Sequence, residues 1–299
     1  MERSRIDHIK PGNLDDDFNE IKDADWVIEA VVERIDIKHK LYSQIDKVRS
    51  PNSIISSNTS TIPLSILTQE MSDSMKADFC ITHFFNPVRF MRLLEIVETP
   101  TMNKDKMDGL RDFCKNELGK GIVNCNDTPG FIGNRIGVYA MQVAMYEALE
   151  RGLPVEIADA LFGRPLGIPK TGVFGLYDLI GIDLMKDVLA SFKKELQEND
   201  PFMDVVKPHP LVEQLLEKGF NGNKGPGGFY QTTIVEGDEH VKAMNTSDMS
   251  YYDFDKVDLE IARRVEKEGI KALLDDDSEY GRYAFAVLAK IINYSAFCI

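Results

Sequence analysis

The sequence predicts an α/β domain built on an open parallel sheet, followed by a domain made of helices. Two observations lead to this fold class. Up to about residue 125, short β-rich runs alternate with longer amphipathic stretches, and a long apolar helical pattern begins after Pro129. Strand, helix and strand in that order favour a parallel sheet with helices on its faces. The length of 299 residues fits about two domains of ordinary size.

Five apolar runs are the candidate strands of this sheet. They cover residues 26–32, 53–56, 79–85, 93–97 and 121–123. Between the first two runs, Leu41, Ile45 and Val48 fall on one helical stripe with charged residues opposite. This pattern predicts the amphipathic crossover helix of a βαβ unit.

The second half of the chain is predicted to be mostly helical. A long helix is expected over 131–152, with Thr128 as its cap, Pro129 in its first turn and Gly152 as its stop. Stretches rich in glycine and proline at 163–175 and 220–230 are predicted loops. We therefore expect four segments: a sheet domain over 1–126, a helical domain over 127–231, a polar linker over 232–258 and the start of a second helical unit over 259–299.

The composition limits the possible functions. The chain has 35 basic and 49 acidic residues, which gives a formal net charge of −14. Such an excess of acid repels phosphate backbones and anionic lipid, so we expect no nucleic-acid partner and no membrane partner. Four scattered cysteines, without a C-x-x-C pair, indicate neither a metal site nor a disulfide framework. A reduced, cytoplasmic setting is expected.

The segment from Thr82 to Pro87 places His83 at the end of an apolar strand, where open α/β sheets bind their ligands. Glu95 follows in a second apolar run, in which an unpaired carboxylate would be costly to bury. If Glu95 accepts a hydrogen bond from one ring nitrogen of His83, the other nitrogen is free to take a proton. The alternative is a surface histidine and a solvated glutamate on an edge strand, and the spacing alone does not decide between them.

Two further groups of polar residues each have two interpretations. Ser56 to Ser60 crowd the exit of one predicted strand, where they either cap a helix over 62–67 or bind a ligand oxygen. Asn134 lies near the N-terminus of the long helix, where oxygen-rich ligands settle, although most asparagines in such positions are merely exposed.

Three charged residues are interpreted by default as exposed to solvent. Glu33 and Lys38 lie on the crossover helix, and Lys224 lies in a glycine-rich loop from which it could reach a phosphate. No G-x-G-x-x-G occurs in the sequence, so it does not encode the phosphate-binding turn of a dinucleotide fold.

Five segments resemble, in this order and at these distances, the NAD-dependent 3-hydroxyacyl-CoA dehydrogenases of fatty-acid β-oxidation. They are AVVERIDIKHKLY, SSNTSTIPLS, THFFNPVRFMRLLEIVETP, CNDTPGFIGNR and GNKGPGGFY. The five segments together are far more specific than any one of them. The likeness runs from about residue 17 to about residue 231. It implies a partial Rossmann-type parallel sheet, lacking its first βαβ unit, followed by the all-α C-terminal domain of that family.

The resemblance also implies roles for individual residues. His83 matches the catalytic histidine of the family and Glu95 the glutamate that orients it, while Ser60 and Asn134 match residues that contact the substrate. The positions that match cofactor contacts are Glu33, Lys38, Ser60, Asn86 and Lys224. The implied cofactor is NAD, and the implied reaction oxidises a (3S)-3-hydroxyacyl-CoA to the 3-ketoacyl-CoA.

The sequence departs from the family at its beginning, because the first βαβ unit with its glycine loop would lie upstream of Met1. We therefore expect a fragment of a longer enzyme of the multidomain bacterial branch, with weak or no NAD binding on its own. The resemblance further implies a homodimer through the helical domain and a fusion to, or association with, an enoyl-CoA hydratase region.

Two other functions stay open at this point. One is a β-hydroxyacid dehydrogenase acting on free acids, a class that uses a lysine where this chain offers Asn134 and Arg135. The other is a non-catalytic member or fragment of the family that keeps the fold for binding only.

Overall fold

The computed structural model describes residues 3–166, 168, 171–235, 237–255 and 257–298. The chain divides between Gly133 and Asn134 into two compact units. Unit 1 precedes this point and unit 2 follows it. The predicted loop over 163–175 includes Gly167, Pro169 and Lys170, which lie outside the described residues.

Unit 1 contains a five-stranded sheet in the order β1-β2-β3-β4-β5. Its strands are β1 Trp26–Glu29, β2 Ile54–Ser57, β3 Phe79–Phe84, β4 Leu93–Glu98 and β5 Gly121–Asn124. All five runs predicted as strands are confirmed, although β1 ends earlier than expected, at Glu29.

One strand pairing differs from the parallel sheet that the sequence predicts. β3 and β4 are antiparallel, whereas the pairs β1–β2, β2–β3 and β4–β5 are parallel. The chain between Phe84 and Leu93 is too short for a crossover, because a parallel connection needs about a dozen residues or more. A hairpin connection results, and it brings the end of β3 beside the start of β4.

Helices cover both faces of this sheet. They are α1 Ile35–Val48, α2 Leu64–Leu67, α3 Asp73–Lys76 and α4 Lys104–Asn116, with short 3₁₀ helices at Arg3–His8 and Phe18–Asp23. Phe79 packs in a core with α1, α2 and α3, while its neighbour Cys80 packs in a second core with α4. Successive side chains of a strand point to opposite faces, which explains this separation. The predicted crossover helix is confirmed as α1.

The polar cluster Ser56 to Ser60 does not supply the cap of the helix that follows it. That helix, α2, begins later than predicted, at Leu64, and its first N–H groups bond to Asp127 instead. The Asp127 carboxylate accepts from Leu64 N–H at 2.6 Å and from Ser65 N–H at 2.9 Å. Asp127 therefore ties α2 to the segment that leads out of β5.

The long predicted helix is confirmed as α5, Gly133–Glu150, but it begins later than the sequence suggested. Gly130 and Phe131 have φ of +70° and +47°, so the backbone makes a left-handed turn after Pro129 and cannot be helical there. Gly152 has φ of +65° and ends the helix as predicted.

Unit 2 is mainly helical around a single large core. After α5 it contains α6 Val155–Leu161, α7 Phe174–Ile180, α8 Ile182–Glu195, α9 Pro210–Glu217, α10 Glu260–Glu268, α11 Lys271–Leu274 and α12 Glu279–Phe297, with 3₁₀ helices at Arg164–Leu166 and Pro201–Asp204. Side chains of α12, such as Tyr283 and Val287, belong to the same core as Val143 of α5. None of the described helices combines the length and the apolar composition that a bilayer crossing requires.

The segment predicted as a polar linker, 232–258, is largely folded into strands. Strands β6 Tyr230–Val235, β7 Asp238–Met244 and β8 Tyr251–Asp253 form an antiparallel sheet. Most side chains of β6 and β7 are exposed, so no strong alternation of apolar residues marks them as strands. Glu236 and Lys256 of this range lie outside the described residues.

Candidate active site

His83 and Glu95 form a buried pair across two neighbouring strands. The register of β3 and β4 places the two residues directly opposite each other, and His83 Nδ1 lies 2.7 Å from Glu95 Oε2. His83 is 6% exposed and Glu95 is 0% exposed, and β4 is an interior strand between β3 and β5. The alternative of a surface histidine beside a solvated glutamate on an edge strand is therefore wrong.

The Glu95 carboxylate is surrounded by hydrogen-bond donors. Its Oε1 accepts from the backbone N–H of Ile132 at 2.9 Å and of Gly133 at 2.6 Å, and the Cys125 thiol lies 3.7 Å from the same oxygen. Burial, with the charge of Glu95, raises the pKa of the Cys125 thiol to about 12, so this group remains a neutral donor. Together with His83, these donors offset the cost of burying a carboxylate.

The pairing fixes the hydrogen position on the His83 ring. Because an ionised carboxylate can only accept, Nδ1 carries the hydrogen and Nε2 of the neutral ring keeps its lone pair. Phe85 and Phe131 pack against the imidazole, with ring centroids 4.6 and 5.7 Å away. Gly133 makes room for Phe85, since a Cβ at Gly133 would lie 2.5 Å from Cζ of that ring. The result is an imidazole held in one orientation.

The Glu33 carboxylate joins the loop after β1 to the loop after β2. Its Oε1 accepts hydrogen bonds from the Thr59 hydroxyl, from the Ser60 N–H at 3.3 Å and from the Thr61 hydroxyl at 3.1 Å. Burial alone would raise the pKa of Glu33, but the Thr59 hydroxyl and the Lys38 ammonium outweigh burial, so this pKa is lowered. Ser60 is half-buried, and its hydroxyl has no partner among the described residues. That hydroxyl is available to a ligand.

The loops with Glu33 and Ser60 lie at the same edge of the sheet as His83. β1, β2 and β3 run parallel, so their carboxyl ends share one edge. The Asn58 side-chain oxygen accepts the Phe84 N–H at 3.0 Å and ties the loop after β2 to the end of β3. The structure thus brings together four predicted site residues of unit 1: His83, Glu95, Ser60 and Glu33.

Lys38 is buried, contrary to its default interpretation as a solvated charge. It is 1% exposed, and its Nζ lies 2.7 Å from Glu29 Oε1 and 3.1 Å from Glu33 Oε2. Lys38 shares the buried face of α1 with Leu41 and Ile45. Its ammonium is enclosed by carboxylates of unit 1.

Asn86 lies exposed in the hairpin between β3 and β4. The buried Lys120 anchors this hairpin, because its ammonium donates to the backbone carbonyls of Val88 and, at 2.8 Å, of Met91. The same ammonium lies over the Phe84 ring, 5.6 Å from its centroid. These contacts fix the ends of the loop that carries Asn86.

The other two predicted site residues belong to unit 2. Asn134 is half-buried and is the second residue of α5. Lys224 lies exposed in the glycine-rich loop, with its Nζ 4.0 Å from Asp183 Oδ1. The buried carboxylate of Asp178 holds the end of this loop, because it accepts the N–H groups of Phe229 at 2.9 Å and of Tyr230 at 2.7 Å.

Sequence reasoning misses three residues that shape the site: Glu29, Lys120 and Gly133. For Glu29 a signal exists, since it is a lone carboxylate inside the apolar run WVIEAVV, just as Glu95 lies between the apolar pairs LL and IV. Lys120 and Gly133 have no such signal. Their importance depends on contacts with residues distant in the sequence, which only the fold reveals.

Two family models match the chain. The model described as the NAD binding domain of 3-hydroxyacyl-CoA dehydrogenase matches residues 1–128, and the model of its C-terminal domain matches residues 130–232.

Curated relatives match over most of the chain. A putative fatty acid oxidation complex trifunctional enzyme of Rickettsia felis is 38% identical over 292 residues, which is 98% of this chain and 40% of the relative. A probable 3-hydroxyacyl-CoA dehydrogenase of Bacillus subtilis is 35% identical over 297 residues, which is 97% of this chain and 36% of the relative. The chain thus spans well under half the length of these relatives.

Solved structures of similar proteins share the fold. The crystal structure of M. tuberculosis FadB2 matches with a TM-score of 0.61 and 30% identity, covering 73% of this chain and 74% of that one. A 3-hydroxybutyryl-CoA dehydrogenase from Escherichia coli matches with the same TM-score of 0.61 and 30% identity, covering 72% of this chain and 44% of that one. With both domain models matching in order along one chain, the protein belongs to the 3-hydroxyacyl-CoA dehydrogenase family.

Proposed function

We propose that the chain carries the dehydrogenase site of fatty-acid β-oxidation, which oxidises (3S)-3-hydroxyacyl-CoA to 3-ketoacyl-CoA with NAD. The observation that supports this most is the buried His83–Glu95 pair at the edge of the sheet. A histidine whose Nδ1–H is held by a fully hydrogen-bonded carboxylate is suited to exchange a proton at Nε2.

In this proposal His83 removes the proton of the 3-hydroxyl through Nε2. The imidazolium that forms is balanced by the charge of Glu95, 2.7 Å from Nδ1. General-base assistance of this kind is worth about 10²- to 10⁴-fold in rate. In the reverse direction the same nitrogen returns the proton to the oxygen of the ketone.

NAD would supply the acceptor for the hydride when it is bound. The residues at the sheet edge suit its nicotinamide end: the Ser60 hydroxyl is unengaged among the described residues, Asn86 is exposed, and Glu33 is an ionised acceptor beside them. We assign Lys38 and Lys224 to the cofactor site as well, Lys38 through its contact with Glu33.

The proposed substrate is an acyl-CoA thioester. Ser60 would hold its 3-hydroxyl beside His83, and Asn134 would donate a hydrogen bond to the thioester carbonyl. This assignment is supported by the matching positions of both residues in the family segments.

We also propose a homodimer through unit 2 and association with an enoyl-CoA hydratase region. Apolar side chains on the outer face of α12, Phe285 at 57% exposure and Ile292 at 64%, support the first. The greater length of the Rickettsia relative named as a trifunctional enzyme supports the second. A cytoplasmic location is favoured by four free cysteines. Sedimentation of the chain as a monomer at micromolar concentration would contradict the dimer.

The test of the function is the reduction of acetoacetyl-CoA by NADH, followed by NADH absorbance. We expect activity with the CoA thioester and none with free 3-oxo acids. His83→Gln should lower the turnover number at least about tenfold with less effect on binding. The matched control is His240→Gln, which replaces an exposed histidine of β7. Equal turnover in the two variants would contradict the role of His83.

A further inference from the structure

Glu29, the last residue of β1, carries a fully buried carboxylate with four donors around it. Its Oε1 accepts from the Val31 N–H at 2.7 Å and from Lys38 Nζ at 2.7 Å. Its Oε2 accepts from the Tyr42 hydroxyl at 2.6 Å and from the Ser57 hydroxyl at 2.7 Å. The Glu29 side chain is 0% exposed. Donors from the loop after β1, from α1 and from β2 thus converge on one carboxylate.

Two of these donors, Lys38 and Ser57, also contact residues of the loops at the sheet edge. Lys38 bridges to Glu33, with Nζ 3.1 Å from Glu33 Oε2, and Glu33 in turn accepts from the Ser60 N–H. The Ser57 hydroxyl, which donates to Glu29, accepts the Thr59 N–H at 3.2 Å. Both routes from Glu29 end on the segment that carries Ser60.

The contacts of Glu29 and those of Glu33 form one network, because the Lys38 ammonium pairs with both carboxylates. An ammonium between two carboxylates is neutralised only while both are in place, and a buried carboxylate without its cation is strongly unfavourable. Removing the charge of Glu29 therefore leaves Lys38 with Glu33 as its sole carboxylate partner in the described network. The Glu33 carboxylate is then pulled toward Lys38 and away from the Ser60 segment.

A second buried carboxylate in the same unit provides a comparison. Asp78, just before β3, is paired with Arg49 Nη1 at 2.9 Å and with Lys106 Nζ at 2.6 Å. It lies where β3 begins, at the opposite edge of the sheet from Glu29, and touches no predicted site residue. Asp78→Asn therefore shows what the loss of a buried carboxylate does in unit 1 when no predicted site residue is in contact with it.

We propose that Glu29 is a positioning residue, which through Lys38 and Ser57 holds Glu33 and Ser60 in the arrangement that the nicotinamide end of the cofactor requires. In this arrangement Lys38 acts on the loop through its contact with Glu33. The effect of Glu29 on cofactor binding rests on the proposed function. Its effect on the position of Glu33 and Ser60 does not.

The first measurement is independent of activity and compares amide hydrogen exchange in Glu29→Gln with that in Asp78→Asn. We expect the Thr59 and Ser60 amides to exchange at least about tenfold faster in Glu29→Gln than in Asp78→Asn, with β3 amides alike in both. Tyr42→Phe, which removes one donor and keeps the ring, should show the same pattern to a smaller degree. It takes the place of Glu29→Gln if that variant does not fold. The proposal would be overturned if the Thr59 and Ser60 amides exchanged equally fast in Asp78→Asn and in Glu29→Gln, or in Asp78→Asn and in Tyr42→Phe where Glu29→Gln does not fold.

The second measurement separates positioning from a loss of fold. In Glu29→Gln and in Lys38→Met we expect the KM for NADH to rise about tenfold while kcat at saturation changes less than about threefold. If the Thr59 and Ser60 amides exchange faster but the KM for NADH is unchanged, Glu29 does not position the loop for cofactor binding. Absence of activity in the wild-type chain with NADH bound would contradict the proposed function, and the exchange comparison would still decide the role of Glu29.

Discussion

His83 and Glu95 are direct cross-strand partners on antiparallel strands, with Nδ1 and Oε2 2.7 Å apart. Directly opposed residues of an antiparallel pair project from the same face of the sheet with their Cβ atoms close together. The pair is therefore fixed by backbone register and needs no loop to bring it together. A site built on strands in this way is more rigid than one built on loops.

The first prediction concerns Glu95→Gln. The amide NH₂ of glutamine must face either His83 or the N–H groups of Ile132 and Gly133, so at least one donor loses its acceptor. We expect kcat to fall about 10²-fold and its pH profile to move, because the imidazolium loses its counter-charge. The free energy of unfolding should fall by about 1–3 kcal/mol.

The control for this change is Glu98→Gln on the same strand. Glu98 is 42% exposed and pairs with Arg111 at 2.9 Å, so its loss should cost at most about 1 kcal/mol and leave kcat unchanged. If Glu95→Gln keeps both the turnover number and the pH profile of the wild type, Glu95 is not part of a catalytic pair.

The second prediction concerns Gly133→Ala. The added Cβ would lie 2.5 Å from Phe85 Cζ and 3.4 Å from Glu95 Oε1, so the Phe85 ring must move away from His83. We expect kcat to fall about tenfold and stability to fall by about 1–3 kcal/mol. In Gly137→Ala the new Cβ has no described atom within 4 Å apart from its chain neighbours and the backbone of its own helix, so this control should gain about 0.5–1 kcal/mol. Wild-type kcat in Gly133→Ala would show that Phe85 does not position the base.

The third prediction concerns Lys120→Met. The substitution keeps the apolar stem and removes the donor to the carbonyls of Val88 and Met91. Trypsin should then cleave after the exposed Arg89 and Arg92 about tenfold faster, because the hairpin opens more often. The control is Lys104→Met, which makes the same change of charge at an exposed lysine at the start of α4. Equal cleavage rates in the two variants would mean that Lys120 does not hold the loop.

The sequence is informative where one physical pattern dominates. Apolar β-branched runs predict the five strands of unit 1, and a helical stripe predicts α1. The cost of a lone carboxylate in an apolar run also suggests a partner for Glu95, but the sequence alone leaves the pair with His83 as one of two interpretations. The antiparallel direction of β4 is recoverable as well, since the hairpin before it is too short for a crossover.

Other features depend on contacts that sequence patterns do not encode. Lys38 follows the apolar stripe of α1 and is buried, and the carboxylates of Glu29 and Glu33 make such burial tolerable. The left-handed turn at Gly130 and Phe131 delays α5, although Pro129 suggests an earlier start. The exposed strands β6 and β7 lack the alternation by which strands are recognised.

Asp159 gives unit 2 a dependence of stability on pH. The buried carboxyl accepts the N–H groups of Phe174 at 2.7 Å and Gly175 at 2.9 Å, and the Tyr230 hydroxyl at 2.9 Å. Burial outweighs these hydrogen bonds and raises the pKa of Asp159 from 3.8 to about 7. A carboxyl whose pKa is higher in the folded state binds its proton more tightly there. Its contribution to stability is therefore full below about pH 4 and is lost as the pH rises through about 7.

The fourth prediction is that Asp159→Asn removes this dependence. Relative to the variant, the free energy of unfolding of the wild type should fall by a few kcal/mol between about pH 4 and pH 8, as measured by urea denaturation. Tyr230→Phe deletes the hydroxyl that stabilises the ionised form, so it should raise the pKa of Asp159 further and move the same loss to higher pH. Parallel pH curves for the wild type and Asp159→Asn would show that the carboxyl is ionised throughout, with its three donors outweighing burial.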